Sequence, residues 1–349
     1  MASPLVLGIE SSCDETAAAV VRGGDEILSN VVHSQIALHE RYRGVVPEIA
    51  SRSHTTRILP LVEQALADAD VAPPDLDAIA VTNQPGMIGC LLVGMSAAKS
   101  LSWLYGKPLV GVDHILAHIH AAFMTEPDLE LPCVCLVASG GHSALYLVRG
   151  PGEAERIGTT RDDAAGEAFD KGAAILGLTY PGGPSIQRAA ETGDTKAVDL
   201  PRPLLHKGLD FSFSGVKTAL LYHLRGSALE RPMPELSDSE VADLAASYQA
   251  AIVDVLVAKL RNACVQNGAR SLAIGGGVAR NALLRQQLTE NGALKDLQQV
   301  FPPMDLCTDN AAMIAGLGTH LFLQGQRDDL GLDAKATARR GPKRNRQNA

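Results

Sequence analysis

Short apolar runs, separated by polar or glycine-rich turns, set the pattern of the chain. Residues 5–9 form one run, which ends at the polar turn Glu10-Ser11-Ser12-Cys13-Asp14-Glu15-Thr16. Runs at 17–21 and 26–32 follow, and strand, polar turn, strand at this spacing predicts a β-hairpin opening the fold. Residues 45–69 carry a helical apolar rhythm through Ile49, Ile58, Leu61, Val62, Ala65 and Leu66. Pro60 is an expected kink in that helix and Pro73-Pro74 its stop. A buried strand at 78–81, a small-residue helix at 86–105, a strand at 108–112 and a helix at 114–123 complete a first cycle. A second cycle begins with a strand at 133–138 that reaches Ser139-Gly140-Gly141-His142, a hairpin partner at 144–148 and a third strand at 156–158. Helices are expected at 165–176, 185–192, 216–224 and 239–266, with a proline-bearing loop at 195–212. A strand at 271–274 runs into Gly275-Gly276-Gly277 and a helix at 278–290, and an Ala/Gly-rich helix at 309–323 closes the pattern. The strand–turn–strand unit thus occurs twice, at 5–21 and 133–148, a hint of a duplicated fold. The expected architecture is α/β, with two related domains, 1–125 and 126–325, around a central cleft and a basic, disordered tail at 326–349. The last helix is free to pack back on the first domain.

Composition narrows the class. A chain of 349 residues accommodates two domains, and 46% apolar residues exclude wholesale disorder. Aromatics are only 4%, with Trp103 the single tryptophan, which argues against an all-β sandwich. The net charge of −8 means that any nucleic-acid binding needs a local basic patch or a partner's surface. Six bases (Lys335, Arg339, Arg340, Lys343, Arg344, Arg346) crowd the C-terminus without an acid, which reads as a solvated tail or as an RNA-contacting one. The six cysteines (13, 90, 133, 135, 264, 307) form no C-x-x-C pair and are read as reduced thiols of a cytosolic protein. The N-terminus lacks the basic region of a signal peptide, and no run of 18 apolar residues predicts a membrane span.

Several constellations carry candidate chemistry, each beside a plainer reading. His114 and His118 stand at i and i+4, on one helix face, and can chelate one divalent metal or decorate a surface. His120 lies roughly 200° around the helix and cannot join them. Ile115 occupies the place of the glutamate base of a zinc protease, so that chemistry is disfavoured. Asp309 is a candidate third ligand or simply a helix N-cap. Val137-Ala138-Ser139-Gly140-Gly141 ends a strand in bare backbone suited to an anion, or forms a plain hairpin turn. Glu167 and Lys171 pair along a helix, and Asp170 beside them can accept from a ribose hydroxyl. Tyr180-Pro181-Gly182-Gly183-Pro184 is a stiff turn, a connector or a wall of a site. Gly275-Gly276-Gly277 offers backbone and a helix N-terminus to a flat or anionic ligand, and Asn281, about one turn on, faces the same way. The pattern is neither a Walker A loop nor G-x-G-x-x-G.

Read in order, IESSCDET (9–16), VDHILAHIHA (112–121), ASGGH (138–142), AGEAFDKGAAILGL (165–178), YPGGP (180–184), FSFSGVKTAL (211–220), GGGVARN (275–281) and CTDNAAMIA (307–315) resemble the TsaD family. These are the tRNA N6-adenosine threonylcarbamoyltransferases, once described as glycoprotein endopeptidases. The resemblance covers residues 4 to about 325. It implies the actin-like, sugar-kinase and Hsp70 fold. It also implies transfer of threonylcarbamoyl from threonylcarbamoyl-AMP to N6 of adenosine 37 in tRNAs that read codons beginning with A. His114, His118 and Asp309 would then hold one metal ion, iron(II) in bacterial members, and Val137, Ala138, Ser139, Gly140 and Gly141 the threonylcarbamoyl-phosphate. Asp170, Gly183 and Asn281 would contact the nucleotide, and Asp14 or Glu15 would take the amine proton or merely form the turn. Gln187 departs from the aspartate of many members at a possible ribose contact. The implied partners are tRNA, a TsaB-like paralogue and a TsaE-like ATPase, with Arg41, Arg43, Arg52 and Arg57 as a phosphate-binding strip. Rival readings are an ATP-using small-molecule kinase or carbamoyltransferase on the same fold, and a non-catalytic nucleotide-binding scaffold.

Overall fold

The computed structural model describes residues 3–336. Its first sheet is built from β1 (Leu5–Glu10), β2 (Glu15–Arg22), β3 (Glu26–Ser34), β4 (Ala78–Gln84) and β5 (Leu109–Asp113), in the order β3-β2-β1-β4-β5. Between these strands run α1 (Ile36–His39), α2 (Pro47–Asp68) and α3 (Ile88–Tyr105), and after them α4 (His114–Thr125). The second sheet comprises β6 (Cys133–Ala138), β7 (Ser143–Gly150), β8 (Glu153–Thr159), β9 (Ser271–Gly275) and β10 (Gln298–Val300), in the order β10-β9-β6-β7-β8. The helices that follow β5 and α4 in the chain are α5 (Ala165–Ile175), α6 (Gly182–Ala189), α7 (Ser214–Arg225), α8 (Asp238–Asn267), α9 (Ala282–Thr289), α10 (Met304–Cys307) and α11 (Ala312–Leu323).

The two sheets are copies of one topology. In each, three antiparallel strands open the sheet and the first of them pairs in parallel with a strand that follows a helical crossover, β1 with β4 and β6 with β9. Small residues make the close approaches. A Cβ on Gly8 would lie 2.4 Å from the Ala311 carbonyl oxygen, so glycine there lets α11 settle on β1. The last helix thus returns to the first sheet, where Met313, Ile314 and Leu317 pack among Val6, Ala80 and Val112.

Helix α4 is buried on most sides because it is packed from both. Ala117 and Ala121 face the first sheet's core, whereas Ile115, Ile119 and Ala122 pack on Cys135, Val137 and Ala273 of the second. Asp113 caps it, its Oδ1 accepting from the Ile115 and Leu116 amides at 2.9 and 3.1 Å. Among the described residues, α3 and α8 are long and apolar enough to cross a membrane by length and composition. Most of α8 is buried in the second domain, where Tyr248, Ile252 and Leu256 anchor the core.

Several expected boundaries move. Helix α2 contains Pro60 and ends at Asp68, well before Pro73-Pro74. Helix α6 begins at Gly182, so the Tyr180–Pro184 stretch is a helix start rather than an exposed connector. The expected helix at 278–290 divides into a single tight turn, Gly277–Arg280, and α9. Residues 326–336, expected as the start of a disordered tail, cover the edge of the first sheet instead. Asp328 bridges Leu109, its amide donating to the Leu109 carbonyl at 2.8 Å, and the Lys335 amide donates to the Asn83 carbonyl at 2.8 Å. The rest of the basic cluster, from Arg339 on, lies outside the described residues.

Candidate metal centre and cleft

β5 delivers the chain directly into α4, so His114 and His118 stand on one face of that helix near its N-terminus. Their rings meet edge to face, with centroids 4.7 Å apart. Asp309 arrives from the second half of the chain, just before α11 returns to the first sheet. Its Oδ1 lies 3.4 Å from His114 Nε2 and 3.2 Å from His118 Nε2. One ligand atom from each of the three residues lies within 4.8 Å of the others. The capping role is filled by the neighbouring side chain, since Asn310 Oδ1 accepts from the Met313 amide at 3.0 Å. Asp309 is therefore left to the histidines.

Behind His114 stands Glu10, wholly buried at the end of β1. Its Oε2 accepts from His114 Nδ1 at 2.8 Å and from Thr82 Oγ1 at 2.7 Å, while Oε1 accepts from the Ser12 amide at 2.5 Å. A carboxylate on the far nitrogen fixes the imidazole so that Nε2 points at a metal. Burial pushes the Glu10 carboxyl up, but the His114 ring outweighs it and holds the carboxyl below its ordinary value. Burial likewise opposes the charge on Asp309 and on His114. Attraction between them wins, so Asp309 lies far below the carboxylate range and His114 well above the imidazole range. Two imidazoles, one carboxylate and a second carboxylate behind them suit a divalent cation with open coordination positions. His120 takes no part. It is buried, its ring stacks on Phe123 at 5.8 Å, and burial lowers its pKa to about 3.

The glycine turns lie beside this centre. The Ser139 amide closes the turn on the His142 carbonyl at 2.7 Å, and a Cβ on Gly140 or Gly141 would meet nothing within 4 Å. Val137 and Ala138 are buried in β6, Val137 beside Gly275 of β9. A Cβ on Gly275 would stand 3.1 Å from the His118 carbonyl oxygen, which sets the end of the second sheet against the histidine helix. Gly276 adopts φ +84°, and a Cβ there would sit 2.4 Å from the Ala138 carbonyl oxygen; Gly277 and Gly183 are open on that side. Asp170 on α5 accepts from the Gly182 amide at 2.7 Å, and burial pushes its carboxyl up to about 6. Asp14 and Glu15 form the end of the first hairpin turn. Burial, then Asp14 and Asp309, push the Glu15 carboxyl well above its ordinary value.

Asn281 has partners within the protein. It caps α9, its Oδ1 accepting from the Leu284 amide at 3.0 Å, and its Nδ2 donates to Gln249 Oε1 at 2.7 Å. Both ends of its amide are thus engaged within the protein. Gln187 also has a structural partner, since its Oε1 accepts from the Ala282 amide at 2.8 Å, in the first turn of α9. Sequence reading missed Glu10 and Gln249. The only signal for Glu10 was an acid ending an otherwise apolar strand.

Fold and site together define an α/β protein of two repeated sheets, with a two-histidine, one-aspartate cluster between them. Solved structures agree on the fold. A full-length HypF in phosphate- and nucleotide-bound form superposes with a TM-score of 0.60 at 14% identity, over 93% of this chain and 47% of that one. Component A of the Acidaminococcus fermentans (R)-2-hydroxyglutaryl-CoA dehydratase superposes at 0.53 and 13% identity, over 91% and 98%. Sequence comparison is more specific. Residues 26–316 match the family model for TsaD, tRNA N6-adenosine threonylcarbamoyltransferase. Proteins of that name from Symbiobacterium thermophilum and Thermomicrobium roseum are 51% and 50% identical to the chain. The first covers 95% of both chains, the second 95% of this chain and 96% of the relative. The chain belongs to the TsaD family.

Proposed function

We propose that this protein transfers the threonylcarbamoyl group from threonylcarbamoyl-AMP to N6 of adenosine 37 in tRNAs that read codons beginning with A, releasing AMP. Family membership supplies the reaction class, and the observation that carries the reading to this chain is the convergence of His114, His118 and Asp309 beside the glycine turns. Those three residues would hold one divalent ion, iron(II) on the chemistry of two imidazoles and a carboxylate. When bound, such an ion supplies Lewis-acid polarisation.

The chain's own groups account for the rest. The donor is an activated mixed anhydride, so the work is positioning and charge stabilisation rather than covalent catalysis. Val137–Gly141 would receive the threonylcarbamoyl-phosphate, where bare Gly140 and Gly141 let the backbone approach an anion. Gly183 and Gly277 are open to the nucleotide, and Asp170 would accept from a ribose hydroxyl. Asn281, which caps the helix after the glycine run, would contact the nucleotide from there. Glu15 or Asp14 would take the proton from the amine. Burial pushes the Glu15 carboxyl up, which favours a proton held there.

Arg41, Arg43, Arg52 and Arg57 are all exposed on the α1–α2 side and would supply part of the tRNA phosphate strip. A TsaB-like partner would cover an apolar row on α3, and a TsaE-like ATPase would join that pair. Ile88, Leu92 and Trp103 are exposed there, Trp103 to 76%. A cytoplasmic location accords with this reaction. The test is mass spectrometry of tRNA nucleosides after reconstitution with threonylcarbamoyl-AMP and these partners. Threonylcarbamoyladenosine should form with the wild type. Its absence in the full reconstitution would overturn the proposal.

A further inference from the structure

The turn that carries Asp14 and Glu15 is held by three carbonyl contacts. The Met87 amide donates to Ser12 O at 2.9 Å and the Gln35 amide to Asp14 O at 3.0 Å. The contact between them comes from a side chain, His54 Nε2, which lies 2.9 Å from Cys13 O. His54 is wholly buried in the middle of α2. A carbonyl oxygen only accepts, so Nε2 must carry the proton. Thr16 Oγ1 lies 2.7 Å from Nδ1, and Gln35 Nε2 at 3.5 Å on the same nitrogen. In a neutral ring Nδ1 is then the acceptor, and the Thr16 hydroxyl is the donor. Burial lowers the pKa of His54, which accords with the neutral ring.

We infer that His54 is a positioning residue for the reaction: with its tautomer set by Thr16, it fixes the Cys13 carbonyl and so aims the Asp14–Glu15 turn at the cleft. The inference rests on the reading of Asp14 and Glu15 as proton acceptors. Thr16 begins the buried run of β2 and His54 belongs to α2, so the pair ties the helix to the turn. Their role is distinct from the metal centre, whose ligands come from α4 and the segment before α11.

The test uses the reconstituted complex with metal, tRNA and threonylcarbamoyl-AMP, comparing Thr16→Val, Thr16→Ser and His54→Leu. A misplaced turn should lower kcat by about tenfold to a hundredfold in Thr16→Val and His54→Leu, with KM for tRNA and metal content unchanged. Thr16→Ser restores the hydroxyl and should return kcat to near the wild-type value. Nitrogen NMR of histidine-labelled protein should show His54 protonated on Nε2 only. Wild-type kcat in a folded Thr16→Val overturns the inference, as does a loss that Thr16→Ser fails to restore, or a ring protonated on Nδ1. Should His54→Leu fail to fold, the Thr16 pair and the tautomer measurement carry the test. Asp14→Asn and Glu15→Gln serve as controls. Full activity in both would overturn the proton-acceptor reading, while the tautomer result stands apart from it.

Discussion

Gly276 and Gly277 are neighbours with opposite surroundings, and substituting each in turn separates a structural glycine from one that faces a ligand. At Gly276 the backbone has φ +84° and ψ 163°, a region L side chains rarely adopt, and an added Cβ would lie 2.4 Å from Ala138 O and 2.7 Å from Ala138 C. Ala138 is paired within β6 and cannot retreat. Gly276→Ala should therefore destabilise the second domain by about 3 kcal/mol, from backbone strain plus overpacking. For a domain of roughly 200 residues that is a fall in Tm of about 6–12 °C. At Gly277 nothing stands within 4 Å of an added Cβ and φ is not positive. Gly277→Val should change stability by less than about 1 kcal/mol. Its methyl groups would instead occupy the space proposed for the nucleotide. The assay is calorimetric titration with a non-hydrolysable threonylcarbamoyl-adenylate analogue, alongside thermal unfolding and metal content. Gly277→Val should bind more than about tenfold more weakly, a loss above ~1.4 kcal/mol, with its metal retained. Wild-type affinity in that variant would reduce the glycine run to a turn and remove the nucleotide from this place. An unshifted Tm in Gly276→Ala would refute the argument from strain.

The remaining predictions concern the metal, the buried acid and the tRNA. Purified protein should hold about one divalent ion per chain by elemental analysis, the His114→Ala/His118→Ala double variant none, and Glu10→Gln should weaken metal binding by about tenfold or more. Unchanged metal content in the double variant would rule out the centre. Burial raises the Asp170 carboxyl from 3.8 to about 6, so between those values the folded chain holds a proton that the unfolded chain has lost. This group's contribution thus favours folding at low pH and is lost as pH rises through 6. The stability of Asp170→Asn relative to wild type, from urea unfolding, should climb between about pH 4 and 7; a flat difference would contradict it. Affinity of the chain alone for tRNA should be weak and should fall with salt, and Arg52→Glu with Arg57→Glu should lower it further and flatten the salt slope. Tight, salt-insensitive binding without a partner would contradict the strip.

Which features could be read from sequence follows from what determines them. The duplicated hairpins were legible because alternation and turn chemistry are local, and the two sheets repeat one strand order around them. The histidine pair was legible because an α-helix converts a spacing of four into a shared face. What each polar residue near a helix start does is different in kind. Asp309 and Asn310 are adjacent and both are good caps, yet Asn310 bonds the Met313 amide and Asp309 faces the two imidazoles. Asn281, also at a helix start, caps its helix through Leu284 and bonds Gln249 as well. The choice depends on where the chain leads next. α11 must return to β1 at Gly8, which orients the residues before it, whereas α9 stays within its own domain beside α8. Glu10 escaped notice for the same reason. An acid at the end of an apolar strand is tolerable only if a partner meets it, and His114 lies 104 residues away at the start of α4. The cleft's chemistry is thus a property of the return path of the chain. Asp309 reaches the histidines only because the last helix of the second half packs on the sheet of the first, so a change that loosens α11 from β1 should empty the metal centre without touching a ligand. Gly8→Val, with its Cβ driven into the Ala311 carbonyl and the Ala315 amide, is that change. If the variant folds, elemental analysis should find its metal lost together with activity. Full metal occupancy in a folded Gly8→Val would show that Asp309 is positioned independently of the helix that follows it.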